Sequence, residues 1–587
     1  MDYTWDLSVL YDSFEDKRIE EDMAACEKNM DLVEQLLASD MSDKEKLEAY
    51  CDASEEGDRL SERLWSFANL TLSVDATNAA ALQLMDRLEA MSVRQGVISA
   101  AAGRYIGSVE NLSDVIASSE KLKAVDFALQ SAAEQASHIP DETIYPWLLK
   151  MSLNGGNAFS NLRDRLDATH MVDYRGQSLP LAAVRAMAYD PDPAVRKDAY
   201  EAEIASYKKI EIPMAACLNA IKGEALTMIE AEHFDSVLEK TLEDSNMDKA
   251  TLDAMWEAIR ETLPDFRRYL RKKGELLGHK DGLPFYDLFA PLSKGETKPK
   301  EYTVEQAREK LVFEMSKFSP EMGQFIAHAF DNRWIDLFPR EGKGGGAFCS
   351  GLHQYDQSRV LTNFAGSFSD VSTIAHELGH AWHNRCMKGL PFVMTDAPMP
   401  LAETASIFNE TLLAHAAMKE ATPEERFALL EGNLMETTQT MVDIYSRFLF
   451  ESAVIEGKKT HNATPEELCA LMLDAQEQSY GDGLDKEIRH PYMWACKCHY
   501  YFAGLNFYNF PYAFGQLFGT GMFAQYQAEG AAFVPKYNKL LRSCGSMKVA
   551  DVAASVGIDV RSVDFWRGAL KVYVDEINEF IALADTL

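Results

Sequence analysis

The chain has 587 residues, of which 47% are hydrophobic, and a formal net charge of −34 at pH 7. That is ample apolar material for a large core, and so acidic a surface repels phosphate backbones, which argues against a nucleic-acid partner. No apolar run approaches the roughly 20 residues that span a bilayer, and the opening MDYTWDLSVLYDSFEDKR lacks the basic segment and apolar core of a secretory leader. No membrane partner is therefore expected. The nine cysteines are odd in number and scattered, so reduced thiols and a cytoplasmic location are expected.

Residues 17–136 read as successive amphipathic helices, with breaks near Ser39-Asp40, Asp75 to Asn78 and Gly107-Ser108. Met171 to Gln177 reads as a strand or hairpin. In Asp190-Pro191-Asp192-Pro193, Asp192 is placed to cap a helix that has Pro193 at its first position. The pattern predicts one long helix from Ala194 to about Ala231 and another from about Asp248 to Leu277, with Pro264 a candidate interruption. Ser293 to Lys300 reads as a polar loop, followed by helices over Thr303–Phe318 and Pro320–Arg333. A prior of about 150 residues per domain would give about four domains. Long helical enzymes depart from that prior, and two lobes are expected instead: an N-terminal helical lobe over 1–200 and a catalytic domain over 201–587.

The texture then changes. Lys343-Gly344-Gly345-Gly346-Ala347-Phe348-Cys349 is glycine-rich and extended, and Val360 to Phe364 reads as a strand. Together they predict a small sheet. Composition alone leaves two readings of the glycines open: a flexible loop, or a bare backbone ribbon at Gly345, Gly346, Ala347 and Phe348 that pairs with an extended peptide as an added strand. A phosphate loop is excluded, because no Gly-Lys-Ser/Thr leads into a helix.

His376-Glu377-Leu378-Gly379-His380 reads H-E-x-x-H. On a helix, residues four apart share a face, so His376 and His380 can grip one metal ion. Glu377, one step round, can reach a metal-bound water. This is the donor pattern of zinc peptidases. The helix is expected to begin with a cap at Ser369 or Asp370, and Ile374, Leu378 and Ala381 form its apolar stripe. Gly379 costs up to about 1 kcal/mol against Ala inside a helix, and a glycine there allows another backbone to approach closely.

A catalytic zinc site needs a third protein ligand and an open position. Four candidates stand nearby. His383 shares the helical face, but one straight helix cannot easily bring three side chains to one metal, so it is expected close by without binding. Asp396 lies in a proline-containing loop. Glu403 and Glu410 share the next helix, seven residues apart, where Leu401, Ala405, Phe408 and Leu412 form an apolar stripe. An unpaired Glu403 would be costly in that apolar first turn, and Glu410 suits bracing a histidine's other nitrogen. Further on, Phe427–Glu456 reads as a long helix and His490–Tyr526 is dense in aromatics. Cys496-Lys497-Cys498-His499 lacks a second cysteine pair and is too sparse a signal for another metal site.

Several segments resemble the oligoendopeptidase F group, within the thimet-oligopeptidase-like family of zinc metallopeptidases. They are Trp5-Asp6-Leu7, Lys343 to Phe348, Thr373 to His383, Leu401-Ala402-Glu403-Thr404-Ala405-Ser406 with Glu410, and Phe507 to Gly515. The likeness is specific from about 335 to 520 and looser elsewhere. It implies a mainly α zincin fold in which two helical lobes enclose a deep channel, with a small β-sheet beside the H-E-x-x-H helix. It also implies one Zn2+ per chain held by His376, His380 and Glu403, and oligopeptide substrates. Glu377 would be the general base, and His499, Tyr508 and Tyr512 the donors to the oxyanion, with Tyr512 favoured over Tyr508. The implied activity is cleavage of internal bonds in short unstructured peptides. An aminopeptidase and a helical peptide-binding protein with a closed structural zinc are the rival readings. Monomer and homo-oligomer stay equally open.

Overall fold

The computed structural model describes residues 3–141, 143–292 and 301–587. The polar stretch 293–300 read from the sequence lies outside them. The described chain is mainly helical and forms two compact units. The first comprises Met1–Ile139, Pro299–Ala416 and Gln525–Gly557, and the second Pro140–Lys298, Ala417–Ala524 and Ile558–Leu587. Among the described residues no helix is long and apolar enough to cross a membrane.

Strands are few. β1 (Met171–Tyr174) and β2 (Gln177–Pro180) form an antiparallel hairpin. Its turn residues Arg175 and Gly176 both have positive φ, 48° and 78°, the conformation of a primed two-residue turn. β3 (Ile335–Asp336), β4 (Phe348–Leu352) and β5 (Gln357–Leu361) form a second sheet in the order β3-β5-β4. β4 pairs antiparallel to β5, with Phe348 opposite Leu361 and Leu352 opposite Gln357, which leaves β4 at an edge.

In the first unit, three helices, Lys17–Leu37, Asp43–Val74 and Ala79–Ser108, pack apolar faces. Leu60, Leu64 and Phe67 enclose a core with Trp5, Leu84 and Leu88, and Leu352 and Leu361 of the sheet join it. Burial of such side chains contributes about 1.5–3 kcal/mol each. The N-terminal segment is tied in by backbone bonds: the amide of Leu337 donates to Tyr3 O at 3.0 Å, and that of Asp6 to Arg333 O at 2.9 Å. Trp5 lies against Phe348, ring centroids 6.2 Å apart.

The glycine-rich stretch is anchored at its root. The Lys343 side chain is wholly buried and its ammonium meets Asp336 Oδ1 at 2.7 Å. It also donates to the carbonyls of Asp336, Phe338 and Thr362 at 3.1, 2.9 and 2.6 Å. A buried ammonium is tolerated only when paired and hydrogen-bonded in this way. Asn363 Nδ2 donates to the carbonyls of Gly344 and Gly346 at 3.0 and 2.9 Å, and the amide of Gly344 bonds Ser73 O at 2.8 Å.

Several expected boundaries move. The Ala194–Ala231 pattern is two helices, Pro193–Tyr207 and Glu211–Ala231. The apolar periodicity runs through the break, but Pro213 sits in the first turn of the second helix, where a missing N–H costs nothing. Asp192 caps the first of these through the Ala194 amide, as expected. Pro264 does not interrupt its helix, which runs unbroken over Lys249–Leu276. Buried Ile259, Leu263, Phe266 and Leu270 outweigh the roughly 3 kcal/mol that an interior proline costs. The Phe427–Glu456 pattern is Pro423–Thr438, a π-helical turn at Gln439–Asp443, and Ile444–Lys458.

Candidate metal centre

The H-E-x-x-H stretch lies in the helix Phe368–Cys386. Its N-cap is Ser367 rather than Ser369 or Asp370. The Ser367 hydroxyl accepts from the Asp370 amide at 3.1 Å, and the Asp370 carboxylate accepts from the amides of Ser367 and Ala365 at 2.9 and 3.0 Å. Such a reciprocal box satisfies donors that Ser369, already inside the first turn, cannot reach. Ile374, Leu378 and Ala381 are buried, which turns His376 and His380 to the opposite side, facing a cavity of about 410 Å³. Phe348, Cys349 and Gly351 of the edge strand also line it.

Gly379 faces the second helix. A Cβ there would stand 2.6 Å from Ser406 Cα and 2.8 Å from Ala405 C, so only glycine admits this crossing. Glu403 lies at the junction between the short helix Met399–Ala402 and the longer Thr404–Glu420, not inside one helix. Asn409, fully buried, adds a tie by donating to Ala375 O at 3.2 Å. The sequence reading missed Asn409. The signal was a lone amide directly before Glu410, following the apolar Ile407-Phe408 pair.

The crossing gathers three donors. His376 Nε2 and His380 Nε2 are 3.2 Å apart, and Glu403 Oε2 lies 3.3 Å from the first and 3.4 Å from the second. A tetrahedral zinc with ligand bonds near 2.0–2.1 Å requires ligand–ligand edges of about 3.3–3.4 Å. The three atoms therefore form one face of such a tetrahedron. No other cluster of three or more metal-binding side chains occurs among the described residues, so Cys496, Cys498 and His499 do not form a second one.

Glu410 Oε1 stands 3.4 Å from His376 Nδ1. A carboxylate there can accept a hydrogen bond from Nδ1–H, a tautomer that leaves the Nε2 lone pair to the donor triangle. Burial disfavours the charged imidazolium of His376, yet Glu403 and Glu410 outweigh it and lift the pKa to about 10. Burial likewise works against an ionised Glu403, but the two imidazoles overcome it and hold the carboxyl below the usual carboxylate range. Ser406 Oγ donates to the same Oε2 at 2.7 Å. Glu377 is 5% exposed, and burial raises its pKa against the pull of the two histidines. A raised carboxyl pKa makes a stronger proton acceptor.

His383 lies beside the cavity without joining the triangle. Burial lowers its pKa to about 4, and its Nε2 sits 3.1 Å from Leu541 O. Asp396 lines the same cavity. Of the ribbon, Ala347 and Phe348 line the cavity. Gly345 and Gly346 have nothing within 4 Å of where a Cβ would stand.

His499, Tyr508 and Tyr512 belong to the second unit. The His499 ring stacks on Tyr508, centroids 5.2 Å apart and planes 9° from parallel. The Tyr508 and Tyr512 hydroxyls are 2.8 Å apart. Burial, then the Arg447, Lys497 and Arg163 cations, push the His499 pKa down to about 4, so its ring is neutral. Tyr500 and Tyr501 are core residues, 2% and 1% exposed, whereas Tyr512 is 38% exposed.

A helix-borne pair of histidines crossed by a glutamate is the donor set of a metallopeptidase. A model of peptidase family M3 matches residues 186–572. The chain belongs to that family and is a metalloendopeptidase. An oligoendopeptidase F homolog of Lactococcus lactis is 25% identical, covering 99% of this chain and 97% of its own length. Oligopeptidase PepF of Bacillus subtilis is 24% identical over 88% and 78%. Among solved structures, a protein of Chlamydophila abortus described as a peptidase superposes with TM-score 0.84 at 22% identity, over 99% and 98% of the two chains. Oligoendopeptidase-F of Enterococcus faecium superposes with TM-score 0.68 at 18% identity, over 97% and 98%. The structural likenesses show the fold, and the resemblance read from the motifs agrees with the sequence relatives.

Proposed function

We propose that this metallopeptidase is a zinc-dependent endopeptidase that hydrolyses internal bonds of short unstructured oligopeptides in the cytoplasm. Its catalytic machinery lies within 201–587, and 1–200 forms the helical lobe. The observation that carries the metal assignment is the donor triangle of His376, His380 and Glu403, with edges of 3.2, 3.3 and 3.4 Å. Zinc, when bound, lowers the pKa of its water from about 15.7 towards 7 and polarises the substrate carbonyl. Glu377 accepts the proton of the attacking water and passes it to the leaving amine. Its burial beside the donors supports that role.

Glu410 holds the tautomer of His376. Tyr512 and Tyr508 donate hydroxyl hydrogens to the developing oxyanion, and neutral His499 offers an N–H. Each such donor contributes roughly 3 kcal/mol to the transition state. Gly345, Gly346, Ala347 and Phe348 bind substrate backbone as an added strand. The edge position of β4 supports this.

Glu377→Gln tests the base. The variant is expected to bind zinc like the parent and to lose nearly all cleavage of an N-acetylated peptide, a substrate that an aminopeptidase cannot use. Substantial hydrolysis by the variant would overturn the assignment. A parent enzyme that binds zinc and peptide without cutting would favour the structural-zinc alternative.

A further inference from the structure

Two buried ion pairs in the second unit end on the short loop that carries Tyr508. Lys222 is wholly buried, and its ammonium donates to Glu451 Oε1 at 2.6 Å and to Asn506 Oδ1 at 2.9 Å. Thr241 Oγ1 donates to the Asn506 carbonyl at 3.2 Å. At the other end, the Arg447 guanidinium donates through Nη1 to Asn509 Oδ1 and through Nε to Asp443 Oδ2, the latter at 2.8 Å. Asp443 also accepts from Tyr480 Oη at 3.2 Å and lies 3.9 Å from Lys497 Nζ.

Between these anchors the backbone is forced. Phe507 has φ +52° and is 5% exposed. A bulky residue in the left-handed region is strained and persists only where its surroundings over-determine it. Phe507 packs on Phe448, centroids 5.2 Å apart, one residue beyond Arg447. Asp443 itself closes the π-helical turn Gln439–Asp443, a departure that recurs at functional sites. Buried ion pairs are a poor way to gain stability, since desolvation offsets their attraction, and fixing a geometry is a use that accounts for them.

We propose that Asn506 and Asn509 are positioning residues. Clamped by Lys222–Glu451 and by Asp443–Arg447, they set the backbone on either side of Tyr508 and so fix the direction of its hydroxyl, and through it that of Tyr512. This rests on the reading of Tyr508 as an oxyanion donor. A hydroxyl displaced by about 1 Å loses on the order of 100-fold in rate without losing substrate binding.

The test is steady-state kinetics of the zinc-loaded full chain on an internally quenched peptide. It compares the parent with Asn509→Ala, Asn506→Ala, Asn509→Asp, Tyr508→Phe and the Asn509→Ala/Tyr508→Phe double variant. Asn509→Ala and Asn506→Ala are expected to lower kcat by roughly 10- to 100-fold with KM changed less than about threefold. Asn509→Asp, which keeps an oxygen for Arg447, is expected to recover most of kcat. The double variant should be no slower than Tyr508→Phe alone, because the clamp acts only through that hydroxyl. Multiplicative losses in the double variant, or an effect confined to KM, would overturn the proposal. If Tyr508→Phe loses activity while both asparagine variants keep it, the clamp fails and the tyrosine reading stands. If Tyr508→Phe keeps full kcat, both fall together. Should Asn509→Ala not fold, Asn506→Ala and its own double variant with Tyr508→Phe decide the question from the other end of the loop.

Discussion

Gly379 lies directly against Ala405: a Cβ on the glycine would stand 2.5 Å from the alanine carbonyl oxygen. The contact is backbone against helix, so neither side can turn away. It sets how far Glu403 reaches toward His376 and His380. Gly379→Ala would gain about 1 kcal/mol of helix propensity and pay for it in overpacking, which costs about 1–3 kcal/mol. The net expectation is a lower Tm and a clearly weaker hold on zinc, measured by thermal unfolding and chelator competition. Unchanged zinc affinity would show that the helix crossing does not govern the donor geometry.

Glu410→Gln removes the negative charge beside His376 Nδ1 and leaves the donor triangle intact. Loss of a group that orients a metal-binding histidine typically weakens affinity by about 10- to 100-fold. Competition with a zinc-sensitive dye should show a loss in that range, with activity restored by excess zinc. An unaltered affinity would remove Glu410 from the site.

The separation between readable and unreadable features follows interaction range. The H-E-x-x-H pair is legible because metal binding demands two imidazoles on one helical face. The close backbone approach at Gly379 and the placing of Glu410 near His376 were legible from helix geometry. Capping by Ser367 was missed, although the Ser367–Asp370 spacing carried it. The break before Glu211 was masked by continuing apolar periodicity, with Pro213 the overlooked signal. The anchoring of Asn506 by Lys222, and of Asn509 by Arg447, joins residues far apart in sequence. Local pattern carries no trace of them. The same holds for the assembly of each unit from three chain segments.

Glu576 gives a pH signature away from the metal. Burial, aided by the charge of Glu579 and opposed by Asn433, raises its pKa from 4.5 to about 7. Asn433 Nδ2 donates to Glu576 Oε2 at 2.6 Å. Because the folded state prefers the proton, this group's contribution is fully present below pH 4.5 and is lost as pH rises through about 7. Glu576→Gln, which keeps an acceptor for Asn433, should therefore stabilise the second unit at pH 8 by about 1–2 kcal/mol. The gain should shrink towards zero near pH 4.5. Denaturant titrations at the two pH values would show it, and a pH-independent difference would refute the assignment.

The most direct measurement is anomalous diffraction at the zinc edge from crystals of the zinc-loaded enzyme. The expected result is one peak per chain within about 2.0–2.2 Å of His376 Nε2, His380 Nε2 and a Glu403 oxygen, with the fourth position left to solvent. A peak away from these three atoms, or a fourth protein side chain closing the coordination, would contradict the hydrolytic centre proposed for this chain.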